Sequence, residues 1–136
     1  MITVVGVWEP GFTDEQLFVE WRMWKQTLAA YQIRDWRMVG NVPGCGAYQE
    51  FDRIEDAIAD IDEGRRIFMI PAASRTVDEI EPVKDPAIIF GNYDENLHRH
   101  VTPGAQSIRI PTPQETDMFA AVCLPLALHH VSRCLK

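Results

Sequence analysis

Apolar residues fall along this chain in short blocks of two different periods, separated by polar and turn-forming residues. Ile2 to Trp8 is rich in β-branched residues, which suit a pleated surface, and Glu9, Pro10 and Gly11 end it, so a first strand is predicted. Leu17, Trp21, Trp24, Leu28 and Tyr31 then recur at spacings of four and three, which places them on one face of a helix. Thr13 and Gln16, just ahead of that stripe, have the form of a capping box. Trp36 to Val39 predicts a short strand, and the glycines and proline of Gly40 to Gly46 predict a loop. Ile54, Ala57, Ile58 and Ile61 predict a helix over Asp52 to Ile61, with Gly64 where its C-terminal cap belongs. Arg66 to Ile70 predicts a strand ended by Pro71, and a short polar connection containing TVDEIE follows.

Two later strands end abruptly. Ala87 to Phe90 is continuously apolar and stops at Gly91, with no turn that would return the chain as a hairpin. Ile108 and Ile110 alternate with polar neighbours until Pro111, and a long terminal helix is predicted from about Glu115. Strand alternating with helix implies an α/β fold, a mainly parallel sheet with helices on both faces. Ligands of such sheets bind beyond the carboxyl ends of the strands. Stops at Pro71, Gly91 and Pro111 therefore place three loops along one edge, where backbone amides and carbonyls can meet a ligand. Gly91 also has a plainer use, permitting an unusual backbone turn after a buried strand.

Composition narrows the partners. A length of 136 residues suits one domain, 46% hydrophobic and 24% charged residues are those of a soluble globule, and no repeat is visible. The longest apolar run, Met118 to Leu128, is too short to cross a bilayer, and the N-terminus carries no basic leader, so the chain reads as cytoplasmic. Cys45, Cys123 and Cys134 are odd in number and share no paired spacing, which reads as reduced thiols. A net charge of −7 gives no footprint for sequence-independent nucleic-acid binding, and no DNA partner is expected. An RNA partner would have to meet a local patch, for which Arg65, Arg66, Arg75, Arg99 and Arg109 are the candidates; solvated surface charge is their plainer reading. The G-C-G at 44–46 is not set between a strand and a helix, so it lacks the helix N-terminus that a dinucleotide site needs.

Taken together, AIIFGNYDENL, IRIPTP and TDMFAAVCLPLALHHV resemble the carboxyl half of the SPOUT (α/β-knot) methyltransferases, in their SpoU/TrmH branch. That branch has a strand ending in F-G-x-E-x-x-G-L, a strand ending in I-P, and S-L-N before a long helix rich in alanine and valine. Phe90, Gly91 and Leu97 match the first motif, Ile110 and Pro111 the second, and Ala121 and Val122 the helix. EFDRIEDAIADI and RRIFMIPAASR are similar to the family's preceding helix and strand, so the resemblance runs from about Phe51 to Val131. It implies one knotted domain over residues 1 to 136, with a C-terminal trefoil knot and a homodimer built largely on the last helix. It also implies S-adenosylmethionine held mainly by main chain, here at Pro71, Ala72, Gly91, Asn92, Ile110, Pro111 and Thr112. The chain departs from the pattern at Tyr93 (family glutamate), Asn96 (second glycine) and Glu115, Thr116 and Asp117 (S-L-N). The family's N-terminal arginine has Arg22 as its nearest positional match.

Methyl transfer to a ribose hydroxyl needs the acceptor held in line and help in losing a proton. Glu115 and Asp117 are the candidate proton acceptors, with Arg22 positioning the acceptor; both carboxylates would equally favour the positive end of the last helix. His98 and His100 could share one side of an extended segment, but no metal motif accompanies them, and none is expected for His129 and His130 on a helix. Cys123 lies in an apolar helix that disfavours a thiolate, and Pro125 is placed to kink that helix. The leading reading is a divergent S-adenosylmethionine-dependent RNA methyltransferase acting on tRNA or rRNA. The alternative is a knotted binding or assembly protein that has lost transfer activity.

Overall fold

The computed structural model describes residues 1–8, 11–40, 49–91, 97–113 and 120–135. Its strands are β1 (Thr3–Val7), β2 (Asp35–Val39), β3 (Gln49–Phe51), β4 (Arg66–Met69), β5 (Arg75–Thr76), β6 (Ala87–Phe90) and β7 (Gln106–Arg109). They join in one sheet in the order β3-β2-β1-β6-β4-β7-β5, and every neighbouring pair runs parallel. Parallel strands need crossover connections, and helices α1 (Asp14–Ala30), α2 (Ile54–Ile58) and α3 (Ala120–Ser132) cover the two faces.

The period-2 alternation decides which face each strand residue serves. Val4, Met38, Ile67, Ile88, Phe90 and Ile108 pack with Trp24 and Leu28 of α1 and with Leu124, Ala127 and Leu128 of α3. Their neighbours Val5, Val39, Phe68, Ala87 and Ile89 pack on the other face with Ile54, Ala57 and Ile58 of α2 and with Ile61 and Leu97. Gly6 of β1 is required by a close approach: a Cβ there would lie 2.7 Å from Trp24 Cη2 and 2.9 Å from Met38 Sδ.

Helix α1 begins with the predicted capping box, in which the Gln16 amide donates to Thr13 Oγ1 (3.2 Å) and the Thr13 amide donates to Gln16 Oε1 (2.8 Å). It ends at Gln32, in the left-handed region at φ 57, where the Ile33 amide donates to the Leu28 carbonyl and the Gln32 amide to that of Ala29. Ile33 and Leu28 are both in the core, the apolar contact that accompanies this termination.

Helix α2 is shorter than its apolar spacing predicts, and Gly64 is not its cap. The helix stops at Ile58, and Gly64 lies in a separate 3₁₀ turn, Glu63–Arg65. The Arg66 side chain explains the early stop: it donates to the carbonyls of Ile61 (2.8 Å) and Ile58 (3.1 Å) and so satisfies the groups a longer helix would have used. The TVDEIE connection contains β5 and a 3₁₀ turn, Val77–Glu79, with its own capping box between Thr76 and Glu79. Among the described residues the last helix starts at Ala120, and its predicted beginning at Glu115 lies outside them. That helix runs through Pro125, whose carbonyl accepts from Tyr31 Oη at 3.5 Å.

Candidate functional site

Strand order creates the site. Because β6 is inserted between β1 and β4, the strands that end at Gly91, Ile70 and Ile110 are neighbours in the order β6-β4-β7. The register pairs Met69 with both Phe90 and Ile108, so the three strands finish level. Beyond Met69 the Ile70 amide donates to the Ile108 carbonyl (2.9 Å) and the Ala73 amide to the Ile70 carbonyl (3.0 Å). Together these bonds hold a tight turn with Pro71 and Ala72 exposed at its tip. Gly91 and Ile110 are half-buried at the rim, with Pro111 and Thr112 exposed beyond. Among the described residues no backbone hydrogen bond joins Pro71, Ala72, Ile110 or Pro111 to another part of the chain. Their main-chain groups are therefore available to a ligand, beside apolar surface from half-buried Ile110. Of the seven residues expected to hold a cofactor, six stand along this rim; Asn92 lies outside the described residues.

No protein-family model matches the sequence, and no curated protein matches it at a significant level. Solved structures do. The chain matches the crystal structure of an RNA 2′-O ribose methyltransferase with a TM-score of 0.69 at 17% identity, over 97% of this chain and 56% of that one. It is similar to the protein of a structure on 2-OH methylation of C/U34 of tRNA (TM-score 0.66, 13% identity, 97% of this chain and 95% of that one). A third match is an AdoMet-bound rRNA methyltransferase from Sinorhizobium meliloti (TM-score 0.67, 15% identity, 97% and 56%). The chain has the fold of these RNA methyltransferases. It spans a little over half the length of the first and third and nearly all of the second. The fold agrees with the resemblance carried by the motifs.

Of the residues expected to do chemistry, only Arg22 is among the described residues. Glu115 and Asp117 lie outside the described residues, as do Tyr93, Asn96 and Thr116. Arg22 is exposed on α1, with its guanidinium 5.7 Å from the centre of the Phe18 ring. There it lines a groove of about 460 Å³ with Val19, Met23 and Gln26. A second cation–aromatic pair, Lys25 over Trp21 at 4.0 Å, lies on the same helix.

Three of the arginines considered as RNA contacts make hydrogen bonds within the fold. Arg65 donates to the Asp85 carbonyl (2.6 Å), Arg66 to Ile58 and Ile61, and Arg75 to the Glu79 carbonyl (2.6 Å) while pairing with Glu81. His98 and His100 are not in an extended segment: Leu97 anchors a 3₁₀ turn, Leu97–His100, in the core. Among the described residues no three His, Cys, Asp or Glu side chains could hold a metal together. Burial pushes the Cys123 thiol up to about 11, so it stays protonated and is a poor nucleophile near neutral pH.

One positioning residue escaped the sequence pattern. Gln106, at the start of β7, accepts from the Glu81 amide (2.9 Å) and donates to the Glu81 carbonyl (3.1 Å). Its buried carboxamide pins the connection between β5 and β6 to the strand that leads into Ile110. A polar residue at an inward strand position was the only signal for it.

Proposed function

We propose that this protein is an S-adenosylmethionine-dependent RNA methyltransferase of the SPOUT class, a single knotted domain working as a cytoplasmic homodimer. The level ending of β6, β4 and β7, with uncommitted main chain at Pro71, Ala72, Ile110 and Pro111, carries the reading. Such a rim fits a ligand recognised through backbone groups, and backbone recognition tolerates side-chain change at Tyr93 and Asn96. S-adenosylmethionine supplies an electrophilic methyl group on its sulfonium. In this reading Gly91, Asn92 and Thr112 complete the rim, Arg22 orients the acceptor, and Glu115 or Asp117 takes the hydroxyl proton.

Threading and pairing have separate support. Leu135, just after α3, forms a parallel bridge with Val83, so this segment lies against the connection that precedes β6, a placement compatible with a knotted path. The outward sides of α1 and α3 expose Phe18, Val19, Met23, Val122 and Leu126. An apolar face of this kind on adjacent helices suits a second copy. Sedimentation is expected to show a dimer at micromolar concentration, converted to monomer by Val19→Glu with Leu126→Glu; a wild-type monomer would remove that part of the reading.

Calorimetry with S-adenosylmethionine and S-adenosylhomocysteine tests the core claim. Submillimolar binding of both is expected, weakened about tenfold or more by Ile110→Asp, which sets a carboxylate into the apolar rim. Transfer of labelled methyl groups to bulk RNA then separates an active enzyme from a binding protein, with Glu115→Gln and Asp117→Asn lowering the rate. Failure to bind either compound at millimolar concentration would end the methyltransferase reading.

A further inference from the structure

Among the described residues, the buried and half-buried arginines are paired within the protein, with one exception. Arg37, Arg65, Arg66, Arg75 and Arg109 are the buried or half-buried arginines. The first four donate to carboxylates or to carbonyl oxygens that close turns. The Arg109 guanidinium forms no hydrogen bond or ion pair with any described residue. An arginine held by its stem with its guanidinium donors open is free for a role outside the protein's own network.

Its position supplies one. Arg109 is the last residue of β7, immediately before Ile110, Pro111 and Thr112 of the rim, and it pairs in register with Thr76 at the edge of the sheet. Ile108 serves the core under α1 and α3, so alternation puts Arg109 on the other face, the one to which Ile70 and Ala73 belong. Its stem is held by the sheet, while its nitrogens are not among the buried atoms that lack a partner, so the head stays accessible. A guanidinium fork matches the paired oxygens of a phosphate or a carboxylate.

We propose that Arg109 is an oxyanion-contact residue of this site and that its ligand is a backbone phosphate of the RNA acceptor strand. This rests on the methyltransferase reading. It also fits the acidic chain: with Arg65, Arg66 and Arg75 committed to carbonyls, RNA is met by few cations placed at the rim instead of by a broad basic surface.

The wild type, Arg109→Gln and Arg109→Lys are compared in three titrations. With a single-stranded RNA oligonucleotide over a range of salt, Arg109→Gln should bind several-fold more weakly and lower the slope of log K against log salt by about 0.7; Arg109→Lys should keep the slope. Affinity for S-adenosylmethionine should not change. Unchanged RNA affinity and slope in Arg109→Gln overturn the proposal. Weaker binding of S-adenosylmethionine but not of 5′-methylthioadenosine, which lacks the carboxylate, overturns the phosphate assignment and gives the contact to the cofactor. Should the wild type bind neither RNA nor cofactor, the methyltransferase reading fails by itself, and inorganic phosphate decides the rest. A saturable shift of the Arg109 Nε–H resonance, larger than that of exposed Arg133, upholds the oxyanion site, and equal shifts overturn it.

Discussion

Replacing Arg37 with Met is expected to lower the free energy of unfolding by about 3 kcal/mol, seen as a lower urea midpoint at unchanged m-value. Arg37 is 7% exposed on β2, beneath α2. Its Nε and one terminal nitrogen donate to the two oxygens of Asp35, both at 3.0 Å, and the other terminal nitrogen donates to the Ala57 carbonyl (2.8 Å) and to Asp60. Removing the guanidinium leaves the Ala57 carbonyl and the Asp35 carboxylate, only 24% exposed, without their cation. Asp60 is 70% exposed and regains water, so the loss sits at the low end for a broken buried pair. The same contact makes stability depend on acid. The hydrogen bond from Arg37 holds the Asp60 carboxyl below its ordinary value. A carboxyl depressed in the folded state adds stability above its unfolded value of about 3.9 and loses it as pH falls through the folded one. Wild type should therefore lose stability more steeply than Arg37→Met between about pH 5 and pH 2. Equal slopes, or a loss under about 1 kcal/mol at pH 7, would show that the network does not hold α2.

Trp24→Ala should cost more, about 4 kcal/mol, within the range for truncating a buried aromatic. The ring is 1% exposed, stacked on Trp36 (6.0 Å, 11°) and set edge-on to Phe90 (5.9 Å, 88°). It also fills the space above Gly6, which has no side chain to collapse into a cavity. Phe90 is the residue before Gly91, so the cavity would open directly behind the rim. Trp24→Ala is accordingly expected to weaken S-adenosylmethionine binding even at temperatures where the variant is fully folded, while Trp24→Phe recovers most of both losses. Chemical denaturation and calorimetry on the same samples give the two readouts. A stability loss without a change in cofactor affinity would uncouple the core from the site.

Elements whose burial follows a simple period were legible from the chain alone. Helix α1 is written by Trp24 and Leu28 with its capping box, and β6 by four consecutive buried residues. Strand β3 was not legible, because Gln49 and Glu50 are exposed and its pairing with β2 supplies what burial does not. Two-residue β5 is held in the same way by β7. The early end of α2 depends on which carbonyls Arg66 captures, and no spacing rule encodes that choice.

For the site, Pro71, Gly91 and Pro111 announce where three strands stop, because proline and glycine limit backbone pairing locally. Strand order and register decided that these stops lie side by side and level, through contacts between residues far apart in the chain. The arginines divide along the same line. Their number and sign are legible in the chain, but which cations are committed to carbonyls and which one remains at the rim depends on the acceptors that folding brings within reach.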